Sequence, residues 1–194
     1  MGKNKNNNSR GENNYFGRVI KIAFLTFGLA LIFTILSEYF IARTQSIIFA
    51  TFFLVIIIIL NIAFDIVGTA VAAAEEAPFH AMASKKIRGA KESYLLVRNA
   101  DKVANFCNDV IGDIAGTISG ALGISLALQI GRYFPGYLAL INILITSFIA
   151  AVIVAGKALG KKIAIEKAEK VIALAGITIY HLEKNIKVKI IKDG

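Results

Sequence analysis

The stretch IIFATFFLVIIIILNIAFDIVGTAVAAA, residues 47–74, decides the fold of this chain. It contains one charged side chain, Asp65, in its second half. A helix needs about 20 apolar residues to cross the hydrocarbon core of a bilayer, so the stretch predicts a membrane-spanning helix. An acidic side chain inside such a segment is expensive to insert, and it therefore indicates a functional or paired group.

Three other runs are long and apolar enough to span a membrane: residues 19–41, 103–130 and 136–159. We therefore predict an all-α integral membrane protein with four transmembrane helices. The run 19–41 is expected to be an uncleaved N-terminal anchor, because no small-x-small cleavage sequence follows it. Residues 1–18, rich in Asn, Lys and Gly, predict a disordered cytosolic tail.

The distribution of charge predicts the topology. The chain has a net charge of +9, yet only Arg43 and Arg132 are basic in the short loops after the first and third runs. The remaining basic residues lie before or within the start of the first run, between the second and third, or near the C-terminus. The positive-inside rule then predicts a multi-pass protein of the plasma membrane with both termini in the cytosol. Because topology explains the basic excess, we expect the lipid bilayer as a partner and no nucleic acid.

Two further helices are predicted on the cytosolic side. Residues 78–98 predict a juxtamembrane helix at the lipid surface, with lysines beside a modestly apolar face. Residues 161–194 predict an amphipathic helix and a basic tail, and we group residues 47–160 as the membrane core. The amphipathic helix carries a heptad-like apolar stripe, for which a membrane surface and a protein partner both remain open: Ile165, Ala168, Ile172, Ala175, Ile179 and Leu182.

Four charged residues are predicted to lie at one depth. Counting about 20 residues inward from the outer ends of the second, third and fourth runs brings Asp65, Asp109, Asp113 and Lys157 to the cytosolic boundary. At about 100° per residue, polar and small side chains form one stripe on each of the second and third runs, and a broken stripe on the fourth. The third-span stripe consists of seven residues: Asn105, Asp109, Gly112, Asp113, Gly116, Gly120 and Gly123. These stripes are expected to face one another.

The surplus of acids over lysine suggests a cation site. Three carboxylates and one lysine leave two negative charges, which a hard divalent cation such as Mg²⁺ neutralises through oxygen ligands. The candidate ligands are Asp65, Asp109, Asp113, Asn61 and Asn105, and Asn108 is a further oxygen donor. Lys157 is expected to modulate the site or to pair with an acid. Backbone or packing roles at the site fall to Gly68, Gly112, Gly116 and Gly156; as a small-xxx-small pattern, Gly116, Gly120 and Gly123 also predict close helix packing.

Several local sequences resemble the membrane domain of the cyclin-M and CorB/CorC magnesium transport proteins. The chain has FDIVGTA at 64–70 where that family has a phrase like F-S-G-x-E-x-A, and NADK at 99–102 in place of N-P-D-R. It has GKALGK at 156–161, similar to G-E-[IL]-x-P-K. The resemblance runs from about Leu60 to Ile172. It implies a homodimer with a cytosol-facing acidic cavity that holds a dehydrated divalent cation.

The chain departs from that family at the acidic positions. The serine of the first phrase falls on Asp65 and its glutamate on Gly68, while the acid of the G-E pair falls on Lys157. The nucleotide-sensing cytosolic domains of larger relatives have no counterpart in the sequence, so a separate cytosolic regulatory protein is a further expected partner.

Three functional interpretations remain open. The first is a protein that binds, and can transport, a divalent cation. The second is a scaffold or accessory subunit whose charges form structural ion pairs. The third, an enzyme acting on lipid headgroups, lacks the necessary motif, so we predict no enzymatic activity.

Overall fold

The computed structural model describes residues 5–43, 46–186 and 189 of the chain. Every regular element among these residues is a helix. The chain divides into two compact units, residues 1–44 and residues 45–194.

The first unit is a single helix, α1, from Lys5 to Arg43. It contains a candidate membrane span from Val19 to Leu36, which lies within the apolar run 19–41. The helix begins well before the apolar run, so residues 5–18 differ from the disordered tail that their composition predicts. Extending an existing helix adds one hydrogen bond for each residue fixed, which favours continuation into a polar segment. Residues 1–4 of the predicted tail lie outside the described residues.

Three further spans form the second unit. Helix α2 runs from Ile47 to Ala73, and the fourth span is α7, from Leu138 to Glu166. The third span, Ala100–Gly131, is continuous but locally irregular. It consists of α5 (Ala100–Asn105), a π-helical turn (Phe106–Ile111) and α6 (Gly112–Gly131). Helices α2, α6 and α7 pack against one another in pairs. The described residues thus contain four helices that are long and apolar enough to cross a membrane, as predicted.

The segment between the second and third spans contains two helices where the sequence predicts one. Helix α3 spans Glu76–Ser84 and α4 spans Ala90–Arg98. The break coincides with positive φ angles of 54° at Lys86 and 76° at Gly89. A residue with positive φ cannot continue a right-handed helix, and the left-handed region favours glycine. The predicted continuous helix over 78–98 is therefore divided near its middle.

The C-terminal helix packs on its own chain. Helix α8, Ala168–Ile186, contacts α4 and α2. Ile172 from the predicted apolar stripe is fully buried, and Ala168, Ala175 and Ile179 pack around the same core cluster. Its other buried members come from α2, α3, α4 and α7: Ala70, Val71, Phe79, Leu96, Val97 and Ala164. Part of the apolar stripe is therefore buried against other helices of the same chain, whereas Leu182 at its C-terminal end is exposed. Most of the last residues of the predicted basic tail lie outside the described part of the chain.

Candidate functional site

Asp65 and Lys157 form an ion pair between α2 and α7. The Nζ atom of Lys157 lies 3.2 Å from Oδ1 of Asp65, and the two side chains are 29% and 16% exposed. Asp65 is the nineteenth residue of α2 and Lys157 the twentieth of α7. At 1.5 Å per residue, each lies about 30 Å from the start of its helix. The contact confirms the prediction that these two residues share one level.

Two glycines of α7 bring it close enough to α2 for this pair to form. A Cβ atom built on Gly160 would lie 2.7 Å from Cγ1 of Ile66, and one on Gly156 would collide with Ile62. Because glycine has no side chain, the two helices approach closely on both sides of Lys157. The predicted packing role of Gly156 is thus seen in its contact with α2.

Asn61 contributes a buried polar atom next to the ion pair. It is 1% exposed, and its Oδ1 atom has no hydrogen-bond partner within the chain. A Cβ built on Gly112 would lie 3.4 Å from Nζ of Lys157 and 3.8 Å from Oδ1 of Asn61. Both atoms therefore lie against the same glycine of α6. A buried carbonyl oxygen without a partner lowers the stability of the folded protein by about 1–3 kcal/mol. A hydrogen-bond donor or a cation bound to Asn61 Oδ1 would therefore be stabilising.

A second unpartnered amide lies in the π-helical turn. The Oδ1 atom of Asn108 is buried without a partner, and the Asn108 side chain occupies the space that a Cβ on Gly68 would need. Gly68, for which the sequence predicts a backbone or packing role, leaves room for this amide. π-helical turns inside α-helices occur frequently at functional sites. The sequence indicated Asn108 only as an additional oxygen donor, because a π-helical turn has no clear signature in the residues themselves.

Asp109 and Asp113 do not join Asp65. Both are exposed side chains of the third span. The carboxylate of Asp109 accepts a hydrogen bond of 2.6 Å from Nδ2 of Asn105, which is also exposed. Within the part of the chain that the structure describes, no three His, Cys, Asp or Glu side chains come together as a metal-binding group. The predicted cluster of three acids with Asn61 and Asn105 is therefore not assembled in one chain.

One edge of the third-span stripe packs against α7, whereas the other edge does not. Gly112 and Gly123, at one side of the stripe, are buried, and a Cβ on Gly123 would lie 2.6 Å from Cδ1 of Ile149 on α7. Gly116 and Gly120 have no neighbouring atom within 4 Å of a built Cβ. The stripe covers about 100° of arc, which is wide enough for one edge to face α7 while the other edge does not.

The assembled part of the site has one carboxylate, one ammonium group and the unpartnered amide oxygen of Asn61; the unpartnered oxygen of Asn108 lies against Gly68, three residues after Asp65 on α2. The ion pair is electrically balanced, so no surplus negative charge remains around Asp65. Any cation that binds the Asp65 carboxylate must displace the Lys157 ammonium group or bind beside it, and the amide oxygens supply further ligands of the kind that hard cations prefer.

The fold and these polar groups define an all-helical, multi-pass membrane protein with a charged pair in its spans. No family model, curated protein or solved structure matches the chain. The resemblance to the cyclin-M and CorB/CorC proteins therefore stays a prediction.

Proposed function

We propose that the chain is a small multi-pass membrane protein that binds a cation at Asp65 in competition with the ammonium group of Lys157. The observation that carries this proposal is the placement of the Asp65–Lys157 ion pair beside the unpartnered Oδ1 atom of Asn61. An ion pair with a purely structural role does not explain why the buried amide oxygen of Asn61 has no hydrogen-bond donor. A bound cation explains it, because the cation takes both the amide oxygen and the carboxylate as ligands.

Mg²⁺ is the cation that we propose first. It keeps several of its waters when bound and needs only one or two protein carboxylates, so a site with one carboxylate and amide oxygens suits it. When Mg²⁺ binds, the Lys157 ammonium group turns away from the Asp65 carboxylate, since two positive charges beside one carboxylate repel each other. Lys157 then acts as a tethered competitor that keeps the site neutral while no cation is bound.

Transport is the extension of this proposal. The site lies about 30 Å from the start of both helices, which is about the thickness of the hydrocarbon core. With the basic end of the molecule in the cytosol, as the positive-inside rule favours, the site opens toward the cytosol of a cell with this protein in its plasma membrane. Exchange between Lys157 and a cation at this level would control entry into the bilayer-spanning part.

A homodimer is part of the same proposal and is supported by the exposed edge of the third-span stripe. Asp109 and Asp113 are exposed, and nothing lies within 4 Å of a Cβ built on Gly116 or Gly120, although all four residues lie in a candidate membrane span. Small residues at this spacing let two helices approach closely, and polar side chains in lipid favour a protein partner. Two copies related by a twofold axis would place Asp109 and Asp113 of each copy at one interface.

The second candidate is a scaffold or accessory subunit, which the closed geometry of the ion pair favours. The Nζ–Oδ1 distance of 3.2 Å leaves the Asp65 carboxylate already compensated. In this case the pair stabilises the packing of α2 on α7 and takes no ligand. A separate cytosolic protein would then bind the exposed surfaces of α3, α4 and α8.

Calorimetric titration of the detergent-purified protein with Mg²⁺ distinguishes the two candidates. The cation proposal expects saturable binding that Asp65→Asn abolishes. Asp101→Asn serves as the matched control, because Asp101 is exposed at the start of the third span and lies outside the assembled site. Loss of binding in Asp65→Asn with retention in Asp101→Asn supports the proposal. Absence of binding in the unmodified protein favours the scaffold.

A further inference from the structure

An open apolar groove lies between α2, the start of the third span and α8. Its volume is about 760 Å³, which is within the range of pockets that hold small ligands. The walls are almost entirely apolar and come from α2, α4, the third span and α8, with Phe64, Val67, Phe106, Leu174 and Ile179 among them. Two polar side chains also line the groove: Lys102 and Thr178.

We infer that this groove binds an anionic phospholipid, with an acyl chain along its apolar wall and the headgroup beside Lys102. The inference is independent of the cation proposal, because it concerns a different face of α2 and different side chains.

The depth of the groove favours a lipid over a water-soluble ligand. Phe64 and Val67 flank the level of Asp65, about 25–30 Å from the start of α2, and therefore lie near the edge of the hydrocarbon core. Lys102 is the third residue of the third span and lies at the end of that span nearest α3 and α4. The ligand must therefore be apolar in the part of the groove that lies within the membrane and polar in the part beside Lys102. A phospholipid has an apolar acyl chain and a polar headgroup in this arrangement.

The charge around the groove favours an anionic headgroup. Between residues 46 and 186, all basic residues except Arg132 and Lys157 lie in one of four places. These are the segment that contains α3 and α4, the start of the third span, the C-terminal end of α7, and α8. The nearest acid along the chain, Asp101, is exposed and does not line the groove. A lysine near an anionic membrane surface contributes favourably to lipid binding, and salt screens that attraction over a Debye length of about 8–10 Å.

The absence of tryptophan from the sequence makes the test simple. Leu174→Trp places the chain's one indole at the groove, and Leu140→Trp places it on an exposed part of α7 as the matched control. Each full-length variant is reconstituted in vesicles that contain either brominated phosphatidylglycerol or brominated phosphatidylcholine, since bromine quenches a nearby indole. We expect phosphatidylglycerol to quench Leu174→Trp more strongly than phosphatidylcholine does, and the two lipids to quench Leu140→Trp equally.

Two additional substitutions test the apolar wall and the charge separately. Ala175→Phe, made in the Leu174→Trp background, fills the groove and should remove the preference for phosphatidylglycerol. Lys102→Gln should weaken the preference about fivefold, the factor expected for one lysine near an anionic surface. Lys161→Gln is its control, because Lys161 is exposed and lies outside the groove.

Several results of these quenching measurements would overturn the inference, and no single variant is required to obtain them. Equal quenching of Leu174→Trp by both lipids would overturn the inference, as would a preference that survives both Ala175→Phe and Lys102→Gln. Quenching by neither lipid would show that protein covers the groove, and it would also overturn the inference. If Ala175→Phe fails to fold, the comparison of Lys102→Gln with Lys161→Gln still decides the role of the charge.

Discussion

The hydroxyl group of Ser93 lies where a side chain on Gly176 would have to be. Ser93 Oγ donates to the carbonyl oxygen of Gly89 at 2.8 Å and also lies 3.1 Å from that of Ile172. A Cβ built on Gly176 would collide with Ser93 Oγ and lie 2.5 Å from the Gly89 carbonyl oxygen. Helix α8 therefore packs directly against the main chain of α4, with one buried hydroxyl joining them.

We predict that Gly176→Ala destabilises the protein by about 1–3 kcal/mol, the usual effect of forcing extra volume into a packed contact. The matched control is Gly28→Ala, since nothing lies within 4 Å of a Cβ built on Gly28. Thermal unfolding in detergent measures both variants. Equal midpoints for the two would contradict the close packing of α8 on α4.

A double-mutant cycle at Asp65 and Lys157 should reveal strong coupling. Asp65→Asn or Lys157→Met alone leaves one charge uncompensated within the spans, which costs about 3–5 kcal/mol for a fully buried pair and less for this partly exposed one. The double variant removes both charges and should be more stable than the sum of the single effects predicts. Additive effects on the unfolding midpoint would mean that the two side chains do not interact in the membrane protein.

Asn61→Leu should separate stability from cation binding. Replacing a buried amide whose oxygen has no partner removes a cost of about 1–3 kcal/mol, so we expect a stability gain without Mg²⁺. Under the cation proposal, the same substitution weakens Mg²⁺ binding because it removes an oxygen ligand. Asn142→Leu is the control, since Asn142 Oδ1 is also buried without a partner but lies near the other end of α7. A loss of Mg²⁺ affinity in both variants would contradict a ligand role for Asn61.

The spans could be predicted from the sequence to within a few residues. The apolar run 47–74 corresponds to α2, Ile47–Ala73, and the run 103–130 lies within the span Ala100–Gly131. The run 136–159 ends seven residues before α7 does. Hydrophobicity determines where a chain enters lipid, but a helix also continues through polar residues beyond the membrane edge, as α1 and α7 do.

The arrangement of the site could be predicted only in part. Depth counting placed Asp65 and Lys157 together, because the two helices run in parallel from the same side of the bilayer. It could not decide which edge of the third-span stripe faces the other helices, so Asp109 and Asp113 were expected inside and are found exposed. Asn108 of the π-helical turn packs against Gly68, and Gly89 packs against Ile177; local propensity does not encode such contacts between elements.

The exposed edge of α6 gives a prediction about assembly. Gly120→Leu places a bulky side chain in the proposed contact between two copies and should shift the protein from dimer to monomer. Light scattering of the detergent complex measures the mass. Ala151→Leu on the exposed side of α7 is the control. A dimer that persists in Gly120→Leu would place the contact elsewhere, and a monomer before any substitution would remove the dimer from the proposal.

The competition between Mg²⁺ and Lys157 is tested most directly by thermal unfolding of the detergent-purified protein against Mg²⁺ concentration, with Lys157→Met and Asp65→Asn measured alongside. A ligand that binds only the folded state stabilises it by about 2.7 kcal/mol at a hundredfold excess over its dissociation constant. The account predicts a midpoint that rises with Mg²⁺, rises at lower concentration in Lys157→Met, and does not change in Asp65→Asn. A midpoint that stays constant in both the unmodified protein and Lys157→Met would contradict it.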